Sequence, residues 1–277
     1  MKNHIFRFTP LFVVLLLHLY TTKAQTYQPV TNTITEVIPC TPETIFSIHA
    51  EKAVVLLSGW KNNYIQVQIY LSAVNADKKL AMRELNYMHY AITKEKNAVE
   101  LRNIFTLPPA IDKIYSKLEV KLVIMIPEKN TLMITNQYGD IQLKGLTGNI
   151  KGNISFCNLQ IEDYAANTRI DATYSEIKGV LKKGTHVINS KSGNIDLELQ
   201  HVNALTINGI RTGIQIDTHG VNDYRYQINN SNGNIILPPK YNELKKKDKN
   251  RYSLITQPGT SVSLVQINTS FETVTIK

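Results

Sequence analysis

The sequence is poor in the residues on which most enzymes and metal proteins depend. Its 277 residues include two cysteines and one tryptophan, and Cys40 and Cys157 are too far apart to form a Cys-x-x-Cys motif. The chain contains no phosphate-binding loop, no dinucleotide-binding glycine motif and no Gly-x-Ser-x-Gly motif. No two histidines stand four residues apart, as in zinc-binding helices. We therefore predict a non-enzymatic protein with no cofactor and no metal site.

Long apolar runs are also rare, and the one near the N-terminus predicts export. Residues 1–24 combine the basic Lys2 and Arg7 with an apolar run over 11–20, and they end in residues that suit cleavage before Gln25. This pattern is typical of a secretory signal peptide, and the run is short for a membrane-spanning helix. An uncleaved anchor is the alternative. No later stretch is long enough to cross a membrane, so we predict a protein of the periplasm or the cell surface.

The charge is only mildly basic once this leader is removed. The whole chain has 31 basic and 22 acidic residues, and the leader holds Lys2, Arg7, Lys23 and no acid, which leaves 28 and 22. Such an excess favours weak attraction to anionic polymers, but a nucleic-acid partner is not expected. In an exported protein Cys40 and Cys157 either form a disulfide or stay unpaired, and the sequence leaves both open.

What the sequence does contain is a four-residue phrase that recurs seven times after residue 131. Each copy is approximately a bulky or polar residue, a small residue, an acid or amide, and a branched aliphatic residue that we call the anchor. The copies are 138–141, 156–159, 174–177, 192–195, 211–214, 232–235 and 259–262. Successive anchors are 18, 18, 18, 19, 21 and 27 residues apart. A period near 18 residues indicates a coil that stacks on itself.

Other columns accompany the anchors. Seven residues before them stand Ile134, Gly152, Ile170, Ile188, Ile207, Ile228 and Ile255. Two residues after them stand Leu143, Ile161, Gly179, Leu197, Ile216, Leu237 and Leu264. We predict that these side chains point inward and build one continuous core. The residues just before the anchors, predicted to form a structural amide ladder, are Asp140, Asn158, Glu176, Asn194, Gly213, Asn234 and Ser261.

The predicted fold class is all-β. Residues 131–277 are expected to form a right-handed β-solenoid of about seven ~18-residue coils. Residues 25–130 are expected to be β-rich, with one helix at about 76–91 that is capped by Asn75 and covers the open end. The apolar stripe of this helix would be Ala81, Leu85, Met88 and Ile92. The sequence leaves open whether residues 25–130 form a separate domain or the first coils.

Two surface features are candidates for binding. The longest spacing between anchors holds an insertion at about 238–251, predicted to loop out of the stack. It either binds an anionic polysaccharide, a lipopolysaccharide phosphate or a protein, or is a solvated loop tip. Its basic residues are Lys245, Lys246, Lys247, Lys249 and Arg251. The second feature is Tyr138, Phe156 and Tyr174, which begin three successive copies; they could bind sugar rings if they point outward, or belong to the core if they point inward.

The repeats are similar to those of a known family. The runs 134–141 (Ile-Thr-Asn-Gln-Tyr-Gly-Asp-Ile) and 146–150 (Leu-Thr-Gly-Asn-Ile) resemble the repeats of candidate adhesins of the DUF4097 type, which occur in exported proteins of Bacteroidetes-like bacteria. The resemblance covers roughly residues 44–277. It implies a β-solenoid in the cell envelope and an adhesin role, and it brings no catalytic residues. Cys157 and Thr212 stand where the family usually has glycine, which puts the geometry of those bends in doubt.

An enzyme on the same fold is the first alternative. Glycan-cleaving enzymes need paired carboxylates on one exposed face. The candidate acids are Asp163, Asp171, Asp196, Glu198 and Asp217. Asp196 and Glu198 would face outward on one coil with Asp217 one coil further, although ordinary solvated acids are the more common occupants of such positions.

The sequence thus favours an envelope or surface interaction protein of adhesin type. The expected partner is a polysaccharide or a protein whose identity is open. A ligand-free periplasmic scaffold is the second alternative. Free strand edges at the ends of the stack could also pair between molecules, which leaves the oligomeric state open.

Overall fold

The fold is described by a computed structural model over residues 27–219, 224–256 and 263–277. The predicted leader and the last predicted copy of the phrase, 259–262, lie outside these described residues.

The N-terminal part combines strands with a helix. The strands are β1 (Gln28–Pro39), β2 (Ile45–Glu51), β3 (Ala53–Trp60), β4 (Tyr64–Asn75), β5 (Met88–Glu95), β6 (Ala98–Phe105) and β7 (Lys117–Pro127). The helix, α1, spans Lys78–Leu85 between β4 and β5.

The remaining described residues are mostly strands. The regular repeats contain β8 (Thr131–Gln137), β9 (Ile141–Lys144), β10 (Ile150–Ser155), β11 (Asn158–Tyr164), β12 (Thr168–Thr173), β13 (Glu176–Leu181), β14 (Thr185–Leu199) and β15 (Ala204–Asp217). The C-terminal part contains β16 (Tyr224–Ser231), β17 (Asn234–Ile236), β18 (Lys245–Asp248), β19 (Arg251–Ile255), β20 (Ser263–Ser270) and β21 (Thr273–Ile276). A 3-10 turn at Pro239–Leu244 separates β17 from β18.

The strands pair in two ladders along the molecule. In the first ladder β2, β8, β10, β12, β14, β15, β20 and β16 pair in parallel in this order. In the second, β3, β9, β11, β13, β14, β15, β21 and β17 do so. β14 and β15 are long enough to take part in both ladders. We call a strand of the first ladder with its continuation in the second a rung; β8 and β9, for example, form the rung 131–144.

The predicted inward columns form the core over the first six copies of the phrase. Each anchor there is at most 3% exposed: Ile141, Leu159, Ile177, Ile195, Ile214 and Ile235. The isoleucines seven residues earlier are at most 2% exposed: Ile134, Ile170, Ile188, Ile207 and Ile228. All belong to one hydrophobic cluster. Because burying each such side chain stabilises the fold by about 1.5–3 kcal/mol, this continuous core holds the rungs together.

The two companion residues predicted for the seventh copy do not join the core columns. Ile255, predicted to point inward, is 62% exposed, because β19 pairs antiparallel with β16 instead of forming a coil. Leu264 lies near the start of β20, in register with Ala204, and not with Ile216 in the column that follows the anchors. The anchor of this rung is Val274, which is in register with Ile214 and Ile235.

The last rung also lies out of chain order. β20 and β21 pair with β15 on one side and with β16 and β17 on the other. The chain therefore passes over one position after residue 217 and returns to fill it with residues 263–276. This insertion explains why the last spacings in the sequence depart from 18.

The N-terminal part continues the same two ladders. Val55 is in register with the anchor Ile141, and Ile48 with Ile134, so residues 45–60 form a rung before the first predicted copy. β6 and β7 then extend the ladders in parallel, and the antiparallel strands β5, β4 and β1 follow at this end. Residues 45–60 therefore share the core of the repeats.

The predicted helix is shorter than expected and begins differently. The carboxylate of Asp77, not the side chain of Asn75, caps α1 by accepting hydrogen bonds from the amides of Lys79 and Leu80. Met88 and Ile92, predicted to lie on its apolar stripe, belong to β5, which pairs antiparallel with β6. Apolar residues four apart fit a strand as well as a helix. Pairing with β6 in a hairpin favours the strand for residues 88–95. α1 packs against β1 and β4, at the end of the stack that it was expected to cover.

The basic insertion was predicted to loop out of the stack, and this prediction is wrong. β18 and β19 form a hairpin that pairs with β16 and extends the first ladder beyond its last rung. The lysines of β18 therefore line a sheet edge. Lysine-rich edges disfavour pairing with the edge of another molecule, because the two rows of charge repel each other.

Removing charge from this edge is expected to cause self-association. The double variant Lys246→Thr/Lys247→Thr keeps residues that suit a strand but loses the repulsion, so it should form concentration-dependent oligomers in sedimentation velocity. The control Lys117→Thr/Lys121→Thr changes two lysines of β7, which has a partner strand on both sides, and should leave the state unchanged. Equal behaviour of the two variants would refute this role for the edge.

Candidate functional site

The turn between the two strands of each rung carries one residue in an unusual backbone conformation. This corner residue stands three positions before the anchor and has a φ between 49 and 73°. In the order of the stack, the corner residues are Lys52, Tyr138, Phe156, Tyr174, Ser192, Arg211, Phe271 and Asn232. A left-handed conformation costs roughly 1–2 kcal/mol for a residue with a Cβ. Large side chains at such positions are therefore unusual, and strained residues of this kind point to function.

Tyr138, Phe156 and Tyr174 form an aromatic ladder at this corner. Their ring centroids are 4.9 and 5.1 Å apart, and successive ring planes are within 11° of parallel. The side chains are 50, 47 and 53% exposed. They therefore point outward, which decides between the two orientations that the sequence left open. Half-exposed parallel rings present an apolar strip to solvent along three rungs.

A hydrogen-bonded amide ladder runs beside this corner on the outer face of the first ladder. Asn229, Asn268, Asn208 and Asn189 each donate through Nδ2 to the oxygen of the next side chain in the row, which ends at Asp171. The donor–acceptor distances are 3.1, 3.3, 2.9 and 2.6 Å in that order. Because each amide has further donor and acceptor capacity, the row offers regularly spaced hydrogen-bonding groups to a ligand.

The amide ladder predicted in the column just before the anchors is confirmed at one pair of rungs, and a longer ladder stands in another column. In the column just before the anchors, the amide of Asn158 donates to Asp140 at 2.9 Å. The longer ladder stands six residues before the anchors, where the recurrence of asparagine is visible in the sequence and was missed.

A groove of about 570 Å³ follows the amide ladder across several rungs. It is lined by the amide ladder, from Asp171 to Asn268, and also by Lys191 and Ile210. Ile210 is 53% exposed. The groove therefore combines neutral hydrogen-bonding groups with apolar surface and one cation, and it lies next to the corner that carries the aromatic ladder.

The carboxylates considered for an enzyme are engaged with other side chains. Glu198 and Asp217 are register partners on neighbouring rungs, and the His219 imidazole lies between them, at 2.9 Å from Glu198 and 3.7 Å from Asp217. Asp196 accepts a hydrogen bond from Gln215 at 2.9 Å. Hydrogen bonds from Gln200 and His219 lower the pKa of Glu198, whereas the general acid of a glycosidase needs a raised pKa. The arrangement is that of a surface charge cluster.

The pKa of His219 is expected to be raised by its two acidic neighbours in this cluster. The hydrogen bond to Glu198 and the charge of Asp217 raise the pKa of His219, so the folded protein is stabilised below the unfolded pKa of the imidazole. This contribution is lost as the pH rises through the folded pKa. NMR titration should give a value above that of the unfolded chain, and Glu198→Gln should return it toward that value. An unchanged pKa in the variant would contradict the geometry.

The other two candidate acids are also paired. Asp163 accepts a hydrogen bond from Lys182 at 2.7 Å, and this contact lowers the pKa of Asp163. Asp171 ends the amide ladder, and its other oxygen lies 3.8 Å from Arg169. The structure does not bring either carboxylate into the cluster at His219.

Both cysteines are free thiols, so the disulfide alternative is not formed. The Cys157 thiol is buried under a bend, where Sγ donates to the carbonyls of Asn136 and Ser155 at 3.3 and 3.2 Å. Burial raises the pKa of both thiols, which disfavours the reactive thiolate form. Cys157 therefore acts as a small core residue at a tight turn.

The basic residues proposed for binding lie far along the stack from the aromatic ladder. Lys245 donates through Nζ to the carbonyl of Ile235 at 3.0 Å. The ammonium groups of Lys245 and Lys247 lie 5.6 and 5.2 Å from the ring centre of Tyr252. These contacts hold the side chains of Lys245 and Lys247 against neighbouring residues.

Comparison with known proteins finds only distant structural likeness. No family model matches the chain, and no curated protein matches it. A candidate adhesin from Bacteroides fragilis is 12% identical with a TM-score of 0.48, over 89% of this chain and 97% of that one. A candidate cell adhesion protein from Clostridium sporogenes is 10% identical with a TM-score of 0.39, over 91 and 99%. A candidate lipid-binding protein from Parabacteroides distasonis is 11% identical with a TM-score of 0.36, over 90 and 97%.

These similarities are too low to assign a function, and the DUF4097 resemblance stays an expectation from the motifs. Within the described ranges, no helix has the length and apolarity needed to cross a membrane. The same ranges hold no group of three His, Cys, Asp or Glu side chains placed to bind a metal ion.

Proposed function

We propose that this protein is a non-enzymatic, exported interaction module of the cell envelope or surface, and that it binds polysaccharide along the corner of its coil stack. In this proposal the two ladders are faces of the right-handed β-solenoid expected from the repeats. The observation that carries the proposal is the aromatic ladder of Tyr138, Phe156 and Tyr174. Its rings are half-exposed although each stands at a backbone position that disfavours large side chains.

The chemistry of the corner suits sugars better than it suits other polymers. Sugar rings have an apolar C–H face that packs on aromatic rings, and their edges carry hydroxyl groups that hydrogen-bond to amides. Because Phe156 is stacked between its two neighbours, the ladder offers the first kind of contact through the outer faces of Tyr138 and Tyr174 and through the exposed ring edges. The groove along Asn189 and Asn208 offers the second kind on the neighbouring column. A polymer lying parallel to the stack would meet both.

The rigidity of the stack supports this role. Rungs repeat about every 4.8 Å, and backbone pairing fixes the corner residues relative to one another. A ligand therefore meets a preformed surface, which lowers the entropic cost of binding. Weak contacts repeated along a polymer then add up through multivalency.

Removing the middle ring is expected to weaken binding by about two- to tenfold. An aromatic contact is worth about 0.5–1.5 kcal/mol, and 1.4 kcal/mol corresponds to a factor of ten in affinity. The test is affinity electrophoresis of residues 25–277 in gels that contain uncharged polysaccharides, bacterial alginate or host-type hyaluronan. Phe156→Ser should migrate more freely than wild type wherever wild type is retarded.

The matched control is Tyr115→Ser, because Tyr115 is also an exposed aromatic, at 64%, but lies outside the corner. This control should bind as wild type does, and thermal melts should show that both variants are folded. No retardation in any gel would favour the ligand-free scaffold. Equal retardation of Phe156→Ser and wild type would place the binding outside the aromatic ladder and so contradict the proposed site. Alginate and hyaluronan together distinguish a bacterial from a host source of the ligand.

A further inference from the structure

The aromatic ladder ends abruptly at Ser192. The register of β13, β14 and β15 places Ser192 one rung after Tyr174 and one rung before Arg211 at the corner. Ser192 is small, so the outer face of the Tyr174 ring has no aromatic neighbour on that side. The gap between the side chains of Tyr174 and Arg211 is two rungs wide, roughly 10 Å. In the ladder itself, one ring occupies one rung of 4.9 to 5.1 Å, so the gap has room for one ring.

The far side of this gap is cationic. The Arg211 guanidinium lies 5.9 Å from the ring centre of Phe271. Phe271 is the corner residue of the next rung, on the opposite side of Arg211 from Ser192. Lys191 directly precedes Ser192 and lines the adjoining groove. Over residues 27–219, 224–256 and 263–277, neither Arg211 nor Lys191 lies within ion-pair distance of a carboxylate. Both cations are therefore available to an anionic ligand.

Two acids beside this corner already have partners. Glu176, two residues after Tyr174, lies 3.6 Å from the ammonium group of Lys178. Asp171, the acid of the adjoining groove, already accepts from Asn189 and lies 3.8 Å from Arg169. A ligand that places a ring on Tyr174 and a carboxylate between Lys191 and Arg211 would satisfy both features of the gap.

We propose that the gap over Ser192 is a binding site for a carboxylated sugar residue, such as a uronic acid, within a longer polysaccharide. The sugar ring packs on the free face of Tyr174, and its carboxylate accepts charge-assisted hydrogen bonds from Lys191 and Arg211. The rest of the polymer follows the aromatic ladder in one direction and the amide-lined groove in the other. This inference rests on the proposed function and names the class of its ligand.

The test compares a uronic acid polymer with its uncharged form. Wild-type protein should bind polygalacturonate about fivefold more tightly than the methyl-esterified polymer, as expected for exposed charge pairs. This preference should shrink as salt is added. Lys191→Gln/Arg211→Gln should bind both polymers equally. Lys182→Gln/Arg225→Gln removes the same two charges elsewhere on the stack and should keep the preference.

A second variant tests the shape of the gap. Ser192→Tyr should continue the aromatic ladder by one rung and close the gap, and it should fold because neighbouring rungs already carry aromatic residues at this corner. It should lose the preference for polygalacturonate while retaining binding to the ester. Equal affinity of wild type for both polymers, or an unchanged preference in both variants, would overturn the inference. Loss of ester binding in Phe156→Ser would then still support the proposed function, so the two failures are distinguishable.

Discussion

Deleting residues 263–277 is expected to unfold the C-terminal part of the stack while the earlier rungs stay folded. The deletion removes the core residues Val265, Ile267, Val274 and Ile276, each at most 3% exposed. At about 1.5–3 kcal/mol for each buried side chain, the loss is comparable with the whole net stability of a typical domain. It also separates β16 and β17 from the rest, because β20 and β21 lie between them and β15.

Hydrogen exchange can measure this outcome segment by segment. Amides of residues 224–255 should lose their protection, and those of residues 131–199 should keep theirs. A synthetic peptide of residues 263–277, added in excess, should restore part of the protection if the open position is preserved. Wild-type protection of residues 224–231 in the deleted protein would contradict the rung order.

Gly193→Ala is expected to destabilise the protein by about 3 kcal/mol, at the upper end of the cost of overpacking. A Cβ at Gly193 would lie 2.0 Å from the carbonyl oxygen of Ser175 in the preceding rung. This oxygen belongs to the backbone of a paired rung, so neither partner can move without breaking the register.

The matched control is Gly213→Ala, one rung further. Its Cβ would meet the side-chain oxygen of Asn194 at 2.7 Å, and a flexible side chain can move aside. The expected change is below about 1 kcal/mol, since alanine also restricts the unfolded chain. Urea unfolding of the two variants checks the difference, and equal losses would refute close backbone contact between rungs.

The period of the anchors was sufficient to predict the stack and most of its core. A residue that recurs every 18 positions with two aliphatic companions has few explanations other than stacked coils, and Ile141, Ile177 and Ile195 are buried as expected. The order of the rungs could not be predicted in the same way. A periodic sequence predicts that copies adjacent in the chain are also adjacent in the stack. The rung of β20 and β21 breaks this rule, because it comes last in the chain but lies between β15 and the rung of β16 and β17.

The missed rungs lack the phrase by which the others were recognised. Phe271-Glu272-Thr273-Val274 has no small residue at its second position, and the N-terminal anchor Val55 precedes the next one by far more than one period. Only backbone register identifies both. The outward direction of Tyr138 and its neighbours was likewise open, because the same spacing suits an inward and an outward column.

The most direct test of polysaccharide binding at the corner is an NMR titration with selectively labelled aromatic residues. Protein labelled at tyrosine and phenylalanine rings would be titrated with a polysaccharide that retards it in affinity electrophoresis. Proposed binding predicts the largest shifts at Tyr138, Phe156 and Tyr174, smaller shifts at Phe271, and none at Tyr115. Shifts confined to rings outside the corner, or no shifts at saturating polymer, would contradict it.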